Sequence, residues 1–381
     1  MKVVISPDSY KGSLSAQDAA ASIAKGVKRA CPDAELDLLP IADGGEGTVD
    51  CLLAAVGGQK VWVKVPDPLG RTIDGFYGLL PDGTAVIEVA AAAGLGLIAE
   101  NEREVMRENT AGVGELIRHA LDHGRTSFVI GLGGSATNDA GIGMLYSLGA
   151  RFYDASGHEL TPTPAGCRNL AHVDVTNLHP ALANARIRVA CDVSNPLCGP
   201  TGATAVYGPQ KGVTTEMIPV LDGILAQFAR VVEHDVGISI KDTPGAGAAG
   251  GLGAASVGVL QAELVRGIDL VLDITSFDQR VSDADFVMTG EGRTDVQTFH
   301  GKVVFGVAVR AKAHGVPVFC LSGCVTEDAA SLYQHGITVL LSIAPGPISL
   351  AESMQSTKAY LTRVAEAATR AFLAGRLSQR A

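Results

Sequence analysis

Residues 2–6, KVVIS, form an apolar run that predicts a buried β-strand, and residues 15–33, SAQDAAASIAKGVKRACPD, predict the helix that follows it. A second strand is predicted over ELDLLPI at 35–41, and a second helix over 48–56, where two glycines would end it. The chain therefore begins with a βαβα pattern, which favours a parallel sheet.

The C-terminal part of the chain continues the same pattern. Its predicted strands are DFVMTG at 285–290, PVFCLSG at 317–323 and TVLLSI at 338–343, and helices are predicted over 301–314, over 326–335 and at the end of the chain. Continuous apolar strands separated by helices are typical of a parallel sheet that is covered on both faces. Ligands of such sheets bind at the carboxyl ends of the strands.

The middle of the chain contains further strands and helices, with longer loops and more prolines. We therefore predict an α/β protein with a parallel-sheet domain and a second α/β domain. The first is built from both chain ends, 1–70 and 275–381, and the second α/β domain is inserted between them at 71–274.

Composition narrows the function. The chain has 381 residues and a formal net charge of −10, so it lacks the basic surface that nucleic-acid binding requires. Its seven cysteines include no CxxC pair, and it has no apolar stretch of signal-peptide or membrane-spanning length. We therefore expect a cytoplasmic protein that binds neither nucleic acid nor a membrane.

The loop SPDSYKGSLS at 6–15 follows the first strand and precedes a helix, a place that suits an anion. Lys11 would add a positive charge, and Asp8 could bind a metal or orient a hydroxyl. Taken alone, the loop is more typical of an N-capped turn with a surface lysine.

The turn ADGGEGT at 42–48 places Asp43 and Glu46 on either side of two glycines. Mg²⁺ takes one or two carboxylates together with phosphate oxygens, so both acids are candidate metal ligands. The alternative is that Asp43 caps the next helix and Glu46 complements its dipole.

The turn GLGGSATNDAG at 131–141 also follows a strand, and it predicts a phosphate cradle more than a dinucleotide site. The candidate phosphate-binding residues are Gly133, Gly134, Ser135, Thr137 and Asn138. A second glycine-rich stretch, GAGAAG at 245–250, predicts a loop that binds phosphates through the N–H groups of Gly247 and Gly250. A hinge between the two domains is an equally good interpretation.

Two further loops carry acids and bases. CDVSNPLCGPTGA at 191–203 places Asp192 at a strand end as a candidate base, with an Asx turn as the alternative. TGEGRTDVQTFHGK at 289–302 has the highest density of charged side chains, which suits a metal-bridged phosphoryl group rather than a solvated salt-bridged loop. Its candidate residues are Glu291, Arg293, Asp295, His300 and Lys302.

The order and spacing of these blocks, together with YGPQKG at 207–212, resemble those of the bacterial glycerate kinases (glycerate 2-kinases, type 1) over nearly the whole chain. The resemblance implies a flavodoxin-like (Rossmann-like) domain from both chain ends, an inserted α/β domain and an active site in the cleft between them. It also implies ATP-dependent phosphorylation of D-glycerate to 2-phosphoglycerate with Mg²⁺, in the breakdown of glycolate, glucarate or galactarate.

For that reaction we assign Asp192 as the leading base, Asp43 and Asp295 as alternative bases or metal ligands, and Lys11, Arg293 and Lys302 as anion clamps. Glu46 and Glu291 complete the candidate metal ligands. The expected partner is a small-molecule substrate, and the sequence is compatible with a homodimer. A non-catalytic nucleotide or sugar-acid sensor and a Mg²⁺-dependent phosphatase are the alternative functions.

The chain departs from the pattern of these kinases at four positions, which bears on substrate preference. Ala111 and Val113 replace a large polar side chain and a hydroxyl, Thr294 replaces an isoleucine, and Val304 replaces a proline.

Overall fold

The computed structural model describes residues 1–299 and 302–378, and within these ranges the chain divides into two compact units. The first unit contains residues 1–43, 50–57 and 268–381, and the second contains residues 44–49 and 58–267. No helix among the described residues is long and apolar enough to span a membrane.

The first unit is built on a five-stranded parallel sheet. In sheet order its strands are Ile337–Ser342, Val318–Ser322, Phe286–Thr289, Lys2–Ile5 and Glu35–Leu38. Numbered along the chain within this unit, the order is 2-1-3-4-5, the flavodoxin-like order of open α/β sheets. This arrangement confirms the predicted fold class.

Helices cover both faces of this sheet because the strands are apolar on both sides. They are Ala16–Ala30, Phe277–Val281, Val303–Ala313, Leu350–Gln355 and Thr357–Ser378. Two further helices, Thr48–Val56 and Gly267–Ile274, begin where the chain passes from the second unit to the first. The predicted helix over 326–335 is a 3₁₀ helix, Glu327–His335. Its two buried residues, Ala329 and Leu332, are three apart, the spacing that a 3₁₀ helix places on one face.

The second unit contains a six-stranded mixed sheet and a two-stranded sheet, Arg151–Tyr153 with His172–Asp174. In order, the six strands are Glu263–Val265, Arg186–Ala190, Ser127–Gly131, Ala85–Glu88, Thr72–Leu79 and Gln59–Pro66, of which the last two are antiparallel to their neighbours. The helices are Ala90–Ala93, Ala111–Asp122, Ile142–Ser147, Ala203–Tyr207, Ile218–Val236 and Ala248–Gly258.

The unit boundaries differ from the sequence-based domains at three places. Residues 44–49, which lie within the predicted domain 1–70, belong to the second unit. The strand Gln59–Pro66 pairs with Thr72–Leu79 over eight residue pairs, so residues 58–70 belong to the second unit. The sequence boundary at 70 fell inside the turn of this hairpin. Residues 268–274 belong to the first unit, where Ile268 packs against Gly306.

The first unit depends on a close helix pair, Ala16–Ala30 against Thr357–Ser378. A Cβ on Gly26 would lie 2.4 Å from the carbonyl oxygen of Thr362 and 2.7 Å from Cβ of Ala365. Because a real Cβ cannot approach other atoms this closely, the two helices can only pack at this distance with glycine at position 26.

We therefore predict that Gly26→Ala lowers the free energy of unfolding by about 1–3 kcal/mol through overpacking, measured by urea unfolding followed by circular dichroism. Gly375→Ala is the matched control, because Gly375 lies in the same helix pair and its Cβ would meet nothing within 4 Å. There the higher helix propensity of alanine should leave stability unchanged or raise it by up to about 1 kcal/mol. Equal effects of the two substitutions would contradict the packing account.

Candidate functional site

A pocket of about 720 Å³ lies in the first unit, at the carboxyl ends of the five parallel strands. It includes the position between strands Lys2–Ile5 and Phe286–Thr289, where the strand order reverses. In open α/β sheets this switch point is the usual place of a ligand, because the loops that follow the two strands diverge there and leave a crevice.

Backbone hydrogen bonds bring three distant turns to this pocket. The amide of Asp8 donates to the carbonyl of Gly290 at 2.9 Å, which places Asp8 beside Glu291. The amide of Ile41 donates to the carbonyl of Pro7 at 3.0 Å, and this carries Asp43 to the same edge. The parallel register of the sheet thus groups acids that lie far apart in the sequence.

Gly290 and Tyr10 fix the floor of the pocket. A Cβ on Gly290 would lie 1.8 Å from the carbonyl oxygen of Leu321, so no other residue fits there. The Tyr10 hydroxyl donates a hydrogen bond to that same carbonyl. Burial and the nearby Cys320, Glu291 and Asp8 raise the pKa of Tyr10 well above its usual value, so the phenol stays protonated.

Asp8 is 9% exposed, and its carboxylate accepts a hydrogen bond from the amide of Ser9 at 2.6 Å. Burial is the main cause that raises its pKa to about 7, and the carboxylates of Asp43 and Glu291 add to the shift, whereas Lys11 opposes it. The sequence indicated Asp8 only as a metal or hydroxyl contact, because its enclosure beside two other acids depends on the fold.

Glu291 is held by two hydroxyls and a lysine. Its Oε1 accepts hydrogen bonds from Thr298 at 2.8 Å and Thr294 at 3.1 Å, and its Oε2 lies 3.9 Å from Nζ of Lys302. Burial raises the pKa of Glu291 despite these partners. Thr294, one of the departures noted above, is thus a hydrogen-bond partner of a candidate site residue.

Three cationic side chains line the same pocket: Lys11, Arg293 and Lys302. Lys11 is exposed, and 66% of the Arg293 side chain is exposed. Nε of Arg293 donates to Asp295 at 2.9 Å, and Asp295 lies outside the pocket lining. Of the residues predicted from the sequence, the structure therefore brings Lys11, Asp43, Glu291, Arg293 and Lys302 together in one pocket. Asp8 lines the same pocket, whereas Asp295 contacts Arg293 but does not line it. His300 lies outside the described residues.

The acids of the turn at 42–48 are separated between the units. Asp43 lines the pocket of the first unit, whereas Glu46 is exposed in the second. Over residues 1–299 and 302–378, no three His, Cys, Asp or Glu side chains form a group that could hold a metal ion by themselves.

The glycine turn of the second unit follows strand Ser127–Gly131 and packs against Gly44 and Gly45. A Cβ on Gly131 would lie 2.1 Å from the carbonyl oxygen of Gly44, and one on Gly133 would lie 2.6 Å from Cα of Gly45. Gly134 is exposed, with φ of +74°. The turn therefore presents Gly133 and Gly134 to solvent.

Thr137 and Asn138 lie fully buried beneath this turn. The side-chain Nδ2 of Asn138 donates to the hydroxyl of Thr204 at 2.9 Å, while Asn138 Oδ1 and Thr137 Oγ1 have no hydrogen-bond partner among the described residues. In this arrangement both side chains support the turn, and neither is open to a ligand.

Lys211 supports the turn from below, and sequence analysis did not select it as a site residue. Its Nζ donates to the Ser135 hydroxyl at 2.8 Å and to the Thr137 carbonyl at 2.7 Å. The lysine is 2% exposed, and burial lowers its pKa to about 8, although the nearby Asp139 and Glu108 favour its charged form.

Asp139 connects the same turn to the helix Ala111–Asp122. Its Oδ2 accepts hydrogen bonds from the amide and the hydroxyl of Thr110, both at 2.8 Å, and from the amide of Gly143 at 3.1 Å. Val113, a departure noted above, is fully buried in the core beside this link.

Gly247 and Gly250 are buried and closely packed. A Cβ on Gly247 would lie 2.3 Å from the carbonyl oxygen of Pro196, and one on Gly250 would lie 2.1 Å from that of Thr137. The stretch 245–250 leads into the helix Ala248–Gly258, with left-handed residues at 249–251. Its glycines are explained by these close approaches.

Asp192 is exposed at the end of strand Arg186–Ala190. Its Oδ1 accepts a hydrogen bond from the amide of Gly267 at 2.8 Å, at the first residue of the helix Gly267–Ile274. A carboxylate in this position satisfies a free helical N–H, and it remains open to solvent.

Glu108, a buried acid near Lys211, makes the stability of the protein depend on pH. It is fully buried, its Oε1 accepts from the amide of Glu104 at 2.7 Å, and burial raises its pKa to about 7. Since the folded pKa exceeds the unfolded one, folding favours the protonated acid, and the destabilisation grows from about pH 4.5 to pH 7 and persists above.

We predict that Glu108→Gln gains stability relative to the parent protein by about 2 kcal/mol between pH 5 and pH 8, measured by urea unfolding at both values. Parallel pH curves for Glu108→Gln and the parent protein would contradict the enclosure of Glu108.

The chain is similar to known proteins over most of its length. A profile described as "Glycerate kinase family" matches residues 3–373. A protein named "Glycerate kinase" from Bacillus subtilis is 49% identical over 96% of both chains, and one named "Glycerate 2-kinase" from Escherichia coli is 45% identical over 90% of both.

Among solved structures, a candidate glycerate kinase 2 from Salmonella typhimurium LT2 superimposes with a TM-score of 0.89 at 43% identity, covering 99% of both chains. The matches extend over both units rather than over one of them. The chain therefore belongs to the glycerate kinase family.

Proposed function

We propose that this enzyme transfers the γ-phosphoryl group of ATP to a hydroxyl of D-glycerate and releases 2-phosphoglycerate. One observation supports this most strongly: three cationic side chains and several enclosed acids line one pocket at the switch point of a parallel sheet. Family membership supports the reaction class, and the name of the Escherichia coli relative supports the 2-phospho product.

Lys11, Arg293 and Lys302 form the proposed anion clamp. Phosphoryl transfer requires little covalent chemistry from the protein, so most of the rate enhancement comes from positioning and from neutralising the charge that develops on the phosphoryl oxygens. Lys302 directly precedes the helix Val303–Ala313, whose N-terminal amides add to the positive potential. The carboxylate of glycerate requires cationic partners as well.

A base must take the proton of the attacking hydroxyl. We retain Asp192 as the leading candidate because it is an exposed carboxylate at a strand end of the second unit, although it does not line the pocket of the first, and we retain Asp43 and Asp295 as alternatives. Asp8 is a further candidate base because it lines the pocket. A substitution by asparagine tests each one without changing its shape.

Mg²⁺ is the proposed metal, and Asp43 and Glu291 are the residues of the pocket that fit it best. The fit rests on the mutual repulsion of Asp8, Asp43 and Glu291, which a bound cation would relieve. When bound with the nucleotide, the ion supplies charge neutralisation at the phosphates. Glu46 and Asp295 remain proposed metal ligands with no support from the pocket lining.

The glycine turn of the second unit remains a proposed phosphate contact. Gly133 and Gly134 are its part closest to solvent, and Lys211 holds the buried Ser135 beneath them. Thr137, Asn138, Gly247 and Gly250 would act through this support, since all four are buried. A cytoplasmic role in the breakdown of glycolate, glucarate or galactarate completes the proposal.

The proposed reaction predicts that purified protein with ATP and Mg²⁺ forms ADP only when D-glycerate is present, and that ³¹P NMR shows 2-phosphoglycerate. ADP formed with free phosphate in equal amount would indicate the phosphatase, and nucleotide or acid binding without any product would indicate the sensor. Formation of 3-phosphoglycerate would retain the kinase and overturn the proposed product.

For the base, we predict that Asp192→Asn lowers kcat by about 10²–10⁴-fold with little change in either KM, because asparagine keeps the acceptor for Gly267 but cannot take a proton. Asp222→Asn is the matched control, since Asp222 also accepts from a backbone amide, that of Gly199, at 3.0 Å. Its kcat should be unchanged. A wild-type kcat for Asp192→Asn would exclude Asp192 and move the assignment to Asp43, Asp295 or Asp8, each tested in the same way.

A further inference from the structure

The pocket of the first unit is lined by two chemically different groups of residues. Lys11, Arg293, Lys302 and the acids form the charged group. The segment after strand Ile337–Ser342 and the start of the following helices form the other, which we call the apolar wall. The apolar side chains of this wall are Ala344, Pro347, Ile348, Leu350 and Met354.

The apolar wall keeps hydrophobic surface in contact with water. Leu350 is 76% exposed, Pro347 is exposed, and Ile348 is only partly covered. An exposed apolar surface inside a pocket, next to a few polar groups, is characteristic of a site for an organic ligand, because covering it removes apolar area from water.

The charged loop and the apolar wall are in direct contact within the first unit. The Ser13 hydroxyl bonds the carbonyl of Met354 at 2.6 Å and the hydroxyl of Thr357 at 2.7 Å, and Ser13 is two residues from Lys11. A Cβ on Gly12 would also lie 2.8 Å from Cε of Met354. The loop that carries Lys11 and the apolar wall therefore form one surface.

The size of the pocket argues against glycerate as its sole occupant. A volume of about 720 Å³ falls among pockets that enclose drug-sized ligands, which measure about 300–1,000 Å³. A three-carbon acid carries no apolar surface that could cover the wall, and it would leave most of the pocket filled by water. The donor nucleotide, by contrast, has a charged end and a flat, largely apolar end.

We propose that the apolar wall binds the heteroaromatic base of the donor nucleotide, with its phosphates directed toward Lys11, Arg293 and Lys302. This inference rests on the proposed function. The base lies against Ile348 and Leu350. The hydroxyl of Ser353, and that of Ser349, which accepts from the amide of Glu352 but keeps its own proton to donate, line the pocket and are available to its ring nitrogens.

The test is the binding of ADP and of tripolyphosphate, which has the phosphates but no base, measured by isothermal titration calorimetry on the full chain. We expect Leu350→Glu to weaken ADP binding by about ten-fold or more, and to change tripolyphosphate binding by less than about two-fold. Leu350→Asn, which adds no charge, should show the same selectivity with a smaller loss of ADP affinity.

Leu377→Glu is the matched control, because Leu377 is 71% exposed in the last helix and does not line the pocket. It should bind both ligands like the parent protein. Equal loss of ADP and tripolyphosphate in Leu350→Glu, unchanged ADP binding in both Leu350 variants, or no ADP binding by the parent protein would overturn the inference.

The outcomes also separate this inference from the proposed function. A parent protein that phosphorylates glycerate, with an unchanged KM for ATP in the Leu350 variants, retains the kinase and rejects the base site. A parent protein that binds ADP more tightly than tripolyphosphate through Leu350, and yet makes no phosphoglycerate, retains the base site and rejects the kinase.

Discussion

The reversal of strand order between Lys2–Ile5 and Phe286–Thr289 is the constraint on which the candidate site depends. These strands come from opposite ends of the chain, and their parallel pairing places the turn that carries Asp8 and Lys11 beside the turn that carries Glu291. Asp43 reaches the same edge because the segment after Glu35–Leu38 continues alongside the first strand and bonds Pro7. Without this register, the charged residues would be separate surface groups of no special reactivity.

The glycines of the two units are required for different physical reasons. In the first, Gly290 is required because the backbone at Leu321 passes too close for any side chain. In the second, the glycines allow backbone to pack on backbone, and buried polar groups then hold the turn: Lys211 below it and Asp139 beside it. Burying a lysine is unfavourable unless its N–H groups find acceptors, so this cluster is expected to fix one conformation of the turn.

The sequence predicted what depends on local patterns. The apolar runs at both chain ends became the five parallel strands, and the charged loops followed them as expected. It could not predict the hairpin of Gln59–Pro66 with Thr72–Leu79, because the partner of an edge strand is set by tertiary pairing. It also missed the importance of Asp8 and Lys211, whose properties come from enclosure, and it could not foresee that Thr137 and Asn138 face inward. The glycines at 247 and 250 show the same difficulty, since packing and phosphate binding both select glycine.

The central claim is that the pocket of the first unit is where the phosphoryl group is held. A crystal structure with a non-hydrolysable ATP analogue and D-glycerate tests it most directly. The account predicts phosphate oxygens within hydrogen-bond distance of at least two of Lys11, Arg293 and Lys302. A nucleotide bound elsewhere in the protein, with these three side chains making no contact to it or to glycerate, would contradict the account.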